Sequence, residues 1–194
     1  MLKQSVLIAL ALALAVGGGA ASVGLVLGSG EGIGAVSVGP WTAYPDIGTP
    51  EADPYSKARV ARDGILALGR AEGLSFAAER DSDGVLLRRE CTYRIEGSLP
   101  IARFWTLYAT DKSQAVLQSP AQRKPSLNSL EVLRQPDNSV SIEVGARATP
   151  GNWLAVSGSG EMSLVMTLYD TPVAASTGLS GIEMPRISRG QCDA

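Results

Sequence analysis

The chain has 194 residues, with 17 Lys and Arg against 19 Asp and Glu, a net charge of −2 and no histidine. Charges this evenly interspersed give no electrostatic footprint for nucleic acid. The missing imidazole excludes Ser-His-Asp and Cys-His catalysis and every histidine-ligated metal site.

The chain opens on an uncharged run from Gln4 to Gly30, between Lys3 and Glu31. Its core, Ser5 to Leu27, is 23 residues long, and a helix needs about 20 to cross a bilayer. Three readings compete. A cleaved signal peptide has a basic start, a short apolar core and a small-residue cut site, and Lys3, Val6–Val16 and Gly19-Ala20-Ala21-Ser22 supply all three. A soluble core helix would carry a polar face, and this run has none. Apolarity resumes at Val23-Gly24-Leu25-Val26-Leu27, which favours the third reading, an uncleaved transmembrane anchor over residues 1–27. Residues 5–27 are then expected as one helix packed on nothing else in the chain. Lys3 is the only positive charge before Lys57. The positive-inside bias places the N-terminus in the cytoplasm and the rest in the periplasm of a bacterial inner membrane.

Residues 28–53 read as a linker rich in Gly and Pro, with Trp41 and Tyr44 placed either at the membrane interface or against the domain. Asp53 and Pro54 are a helix-start signal. Ala58, Ala61, Ile65 and Leu68 recur at three- and four-residue spacing, which predicts a helix near 54–69 closed by Gly69 or Gly73.

Strand signals follow. Ser75–Arg80 leads into Asp81-Ser82-Asp83-Gly84, a tight turn. Val85, Leu87, Arg89, Cys91, Tyr93 and Ile95 then alternate with polar residues, which predicts a twelve-residue half-buried strand in which Arg89 breaks the apolar face. Ala102–Ala109 is apolar on both faces. Glu131–Arg134 and Ser139–Val144 flank a second turn at Pro136-Asp137-Asn138. Asn152–Val156 and Ser163–Tyr169 complete the set, while Met184–Arg189 need not be a strand. The fold class is mainly β: residues 54–194 form an antiparallel β-sandwich with one short helix.

Cys91 and Cys192 lie 101 positions apart. They cannot make a four-cysteine zinc site or a CxxC redox motif. Beyond a membrane, two cysteines predict one disulfide, with Cα atoms about 4.4–6.8 Å apart; the alternative is two unrelated buried thiols.

Gly28-Ser29-Gly30-Glu31-Gly32 matches no phosphate-binding motif. Trp105, Tyr108 and Trp153 are candidates for a sugar or apolar-ligand groove, against the plainer role of core residues. Asp111 and Asp170, each ending an apolar strand, are the one carboxylate pair worth testing as a hydrolase centre. Two functions therefore stand: a non-catalytic, membrane-anchored envelope domain that binds a small molecule or a protein, or a carboxylate-dependent hydrolase of an envelope carbohydrate. Neither calls for a cofactor or a metal, and the partner implied is the membrane rather than nucleic acid.

From Pro54 to the C-terminus the chain resembles the bacterial domain of unknown function 1214. The pieces that carry the resemblance are PYSKARVARDGILAL, FAAERDSDGVLLRRECTYRIEGSLPIARFWTLYATD, PGNWL at 150–154, MTLYDTP at 166–172 and MPRISRGQC at 184–192. Members often form the C-terminal half of proteins that also carry domain of unknown function 1254; here a membrane segment stands in its place. The resemblance implies a β-rich, jelly-roll-like domain and no established activity. Cysteines in the CTYR and RGQC pieces add weight to the disulfide.

Overall fold

The computed structural model of the protein describes residues 2–28, 32–119, 124–175 and 181–192. Helix α1 (Leu2–Gly28) is long and apolar enough over Lys3–Val26 to cross a bilayer. It is exposed along most of its length, but its last turns, where Ser22, Val23 and Val26 are half-buried, come against α2 (Pro54–Asp63). The helix is therefore not wholly isolated from the rest of the chain.

Two sheets enclose one apolar core. The six-stranded sheet runs β1 (Val36–Val38), β2 (Trp41–Ala43), β3 (Gly73–Ala78), β9 (Ser163–Tyr169), β5 (Phe104–Thr110), β6 (Ser126–Asn128). The four-stranded sheet runs β10 (Arg186–Cys192), β4 (Cys91–Gly97), β7 (Val140–Gly145), β8 (Asn152–Ala155). Period-two alternation sends Phe76, Leu107, Met166 and Ile142 inward, all fully buried. Each such side chain contributes roughly 1.5–3 kcal/mol of transfer free energy. The fold is mainly β as expected, with two refinements: the sheets do not close on each other, and β7 and β8 are parallel.

The elements depart from the sequence pattern at definite points. Helix α2 starts as expected, with Asp53 accepting from the Tyr55 and Ser56 amides at 2.8 and 3.1 Å. It ends five residues early, because Gly64 takes a left-handed φ of 64° and its N–H closes on the Val60 carbonyl. Residues 65–68 continue as an extended strap. The expected twelve-residue strand forms only from Cys91. Residues 85–90 instead cross from one sheet to the other, and Val85 is exposed while Leu87 is buried. The break falls around Arg89, the residue that violated the apolar phase.

Glu131–Arg134 makes a single bridge, Arg134 to Val140, rather than a strand. Met184–Arg189 is largely strand, within β10, held by β4. Residues 36–43, read as linker, supply β1 and β2. Trp41 is fully buried and donates from Nε1 to the Pro185 carbonyl at 2.7 Å, so it belongs to the core and not to a membrane interface.

Candidate functional site

The outward face of the six-stranded sheet is a groove of about 1300 Å³. Its floor follows the register Thr42, Ala77, Val165, Tyr108 across four strands. Residues on the outer phase of these strands are mostly small or hydroxylated, Val165 and Phe104 apart, and hydroxyls pair: Ser75 with Thr167 at 2.9 Å and Ser37 with Thr42 at 3.2 Å. Tyr108 sits half-buried in this floor. Burial, then the neighbouring Tyr169, raise its pKa above the ordinary tyrosine value, partly offset by a hydrogen bond with Thr167. Tyr108 therefore stays a neutral O–H donor at neutral pH.

One wall is the end of α2 and the strap 64–68; the other is the 111–115 turn. Gln114 Nε2 meets Asp63 Oδ2 at 3.4 Å and joins the two walls at one end. The strap is seated by Gly48, where an added Cβ would lie 2.0 Å from the Leu68 carbonyl oxygen. On the rim Lys112 pairs with Glu161 at 2.9 Å and Asp63 with Arg62 at 2.6 Å, while Glu79 and Arg80 line it without an ion pair between them, Arg80 donating to the Gly84 carbonyl at 2.9 Å. Arg59 stacks over Tyr44 at 5.1 Å, its Nη2 buried without a hydrogen-bond partner.

The candidate residues divide. Tyr108 and Asp111 line the groove. Trp105 points the other way into the core, its Nε1 buried and unpartnered, a cost nothing in the structure explains. Trp153 lies on β8 in the other sheet and donates to the Gly145 carbonyl at 2.9 Å. Asp111 follows the last residue of β5 and Asp170 the last residue of β9. These strands are antiparallel over seven residues with one acid just beyond each end, which separates the two by roughly 26 Å. A glycosidase pair needs about 5–10 Å, so they form no such centre.

Asp111 is instead a turn former. Its Oδ1 accepts from Ser113 N, Ser113 Oγ and Ala115 N at 2.8, 2.7 and 3.0 Å. The Ser113 hydroxyl is the main cause of its lowered pKa. Among the described residues no three His, Cys, Asp or Glu side chains gather to hold a metal. The hydroxyl floor was not singled out from the sequence, because outward Ser and Thr on alternating strands read as an ordinary solvated face. The two walls that convert that face into a groove come from distant segments.

At the end of the molecule where β4 begins, Cys91 and Cys192 are bonded, with Cα atoms 3.8 Å apart, closer than the expected window. They are directly opposed on β4 and β10. Beside them Asp81, buried, accepts from Arg189 Nε at 3.0 Å and from the Asp83 and Val85 amides at 3.1 and 2.9 Å. Arg189 also donates to the Leu86 carbonyl and lies over the Tyr93 ring at 5.6 Å. The turn at 81–84 is thus a turn, as expected, and also an anchor for β10.

The model of the family "Protein of unknown function (DUF1214)" matches residues 72–173, more than half of the chain. The chain belongs to this family. The match runs from β3 through the start of the short 3₁₀ helix (Pro172–Ala175) and so includes the central strands of both sheets. The DUF1214 chain is similar in structure to the VPA0106 protein from Vibrio parahaemolyticus, with a TM-score of 0.59 and 20% identity over 73% of this chain and 36% of that one. It spans about a third of that protein's length, and at this identity the likeness is one of fold. An uncharacterised protein from Burkholderia cenocepacia aligns with a TM-score of 0.41 and 18% identity, over 75% of this chain and 45% of that one. No curated protein matches the chain in sequence.

Proposed function

We propose that this DUF1214 chain is a non-catalytic cell-envelope domain, held at the bacterial inner membrane by α1 with its β domain in the periplasm, that binds an uncharged, hydroxyl-rich ligand such as a glycan chain in the groove. One observation carries this: hydroxyl side chains and a neutral tyrosine, interleaved with Ala77 and Val165, lie along the face that floors the groove, while Lys112 and Glu161 on its rim neutralise each other. Uncharged donors and acceptors in a row suit a ligand that offers hydroxyls and no charge. The disulfide supports an oxidising compartment, and α1 supports the membrane.

The test is titration of the detergent-solubilised full chain with maltoheptaose, a neutral oligosaccharide, followed by isothermal calorimetry. The wild-type chain is expected to bind, and Val165→Trp, which fills the floor, to lose binding with its melting temperature kept. Absence of binding to wild type, or equal binding to the filled variant, overturns the reading.

A further inference from the structure

We infer that the end of the β domain where the chain leaves α1 lies on the bilayer, with Ile101, Leu130 and Leu133 inserted into its interfacial layer. This rests on the anchoring proposed above and is independent of the groove. Strand register gives the direction: Val36 stands level with Phe76, Met166 and Leu107 at mid-sheet, and β1 runs away from the Phe104 end, so the chain before it arrives from that side. Val36 opens β1 opposite Ala43, Ala43 pairs with Phe76, and Gly73 at the start of β3 pairs with Tyr169, itself opposite Phe104. Two of the crossings at the Phe104 end bear the apolar residues. The 98–103 segment, joining β4 to β5, carries Ile101, 81% exposed. The 129–134 segment, leaving β6 toward β7, carries Leu130 and Leu133, 84% and 70% exposed.

These side chains are held outward by backbone bonds rather than left loose. Thr171 Oγ1 donates to the Ile101 carbonyl at 2.6 Å, Ser129 N to the Trp105 carbonyl at 3.0 Å, and Leu133 N to Asn152 Oδ1 at 2.7 Å. Three large aliphatic side chains fixed outward at one end of the domain suit an apolar occupant. The bilayer that holds α1 is at hand there. Most charges flanking the tips are matched, Arg103 with Asp170 and Lys124 with Glu131, and Arg134 turns back to Asn138 Oδ1 at 3.0 Å. The contact is therefore apolar, not a polybasic attraction to anionic lipid.

Geometry gives the contact a purpose. The chain enters at the β1 edge, and Leu130 follows β6 at the opposite edge, five strand spacings or roughly 24 Å away. A single helix tether leaves a domain free to tilt. A second contact at that distance fixes its orientation, and with it the direction in which the groove opens.

The experiment places one environment-sensitive fluorophore at a time on Leu14→Cys, Ile101→Cys, Leu130→Cys, Leu133→Cys or Val85→Cys. The labelled full chain is reconstituted in phosphatidylcholine vesicles and read with lipid-borne and aqueous quenchers. Val85 is exposed in the 81–85 turn at the other end and serves as the water reference. Labels at 14, 101, 130 and 133 are expected to be quenched from the lipid and the label at 85 from water, with no change in high salt. Labels at 101, 130 and 133 in water, with 14 in lipid, overturn the inference and leave the anchoring intact. A label at 14 in water overturns both.

Discussion

The two ends of the β domain use the same ion pair to different effect. At the disulfide end Arg189 meets Asp81 at 3.0 Å, and the aspartate side chain is 1% exposed. At the opposite end Arg103 meets Asp170 at 2.7 Å, yet that aspartate is 61% exposed. The shorter contact is the weaker one. Around Asp170 water screens the charges whether or not they touch. The Asp81 carboxylate is shielded from solvent, and each of its oxygens is committed to the turn or to β10. Covalent and ionic restraint are concentrated at one end, and the other is left with exposed aliphatic tips.

Breaking the disulfide should have the largest effect. Cys91→Ala with Cys192→Ala releases a long loop, worth about 4–5 kcal/mol in the chain-entropy model, and equilibrium urea unfolding monitored by circular dichroism measures it. Asp81→Asn should cost about 1–3 kcal/mol, because the buried carboxylate joins the turn amides to Arg189, which is itself 24% exposed. If its loss of urea midpoint matches that of a surface substitution, the contrast between the two ends is wrong. Combining it with the cysteine substitutions should give less than the sum, since Arg189 and Cys192 ride on the same strand.

Smaller effects sharpen the contrast. Asp53→Ala removes the cap of α2 and should cost about 1 kcal/mol at neutral pH. The Asp53 carboxyl is held below its ordinary pKa, first by the Ser56 hydroxyl. Its stabilisation is thus present above the ordinary carboxylate range and lost as pH falls through the lowered value. Wild type and variant should converge in melting temperature at low pH. Glu90, beside the disulfide, is lowered from 4.5 to about 2 chiefly by the Arg88 guanidinium. Stability it adds is complete above about 4.5 and disappears towards 2, so the melting difference between wild type and Glu90→Gln should close over that window. Asp170→Asn should change stability by about 0–1 kcal/mol.

Much of this fold was legible in the sequence, and the failures have physical causes. Ser163–Tyr169 coincides with β9 to the residue: a short apolar run rich in strand formers, paired on both sides with core strands. β10 was missed because RISRGQC offers one buried side chain, Ile187; its strand state comes from β4, which no local pattern reveals. β1 and β2 have three residues each and are too short for periodicity. Arg89 was the visible warning that the 85–96 alternation would break. Of the residues named from the sequence, Tyr108 and Asp111 line the groove. Trp105 and Trp153 were not distinguishable from groove residues, because an aromatic side chain on a strand gives no sign of which sheet face it will take.

Chain order makes β10 the last of these strands to be synthesised, and it pairs with a strand about a hundred positions earlier. Until it arrives, Asp81 is a charge without a counter-charge, Cys91 a thiol without a partner, and β4 an open edge. Contacts of such sequence separation form late. Completion of the domain is thus marked by one covalent event, and the fraction of Cys91 that is oxidised, read on a non-reducing gel, is a clock for the final step of its folding.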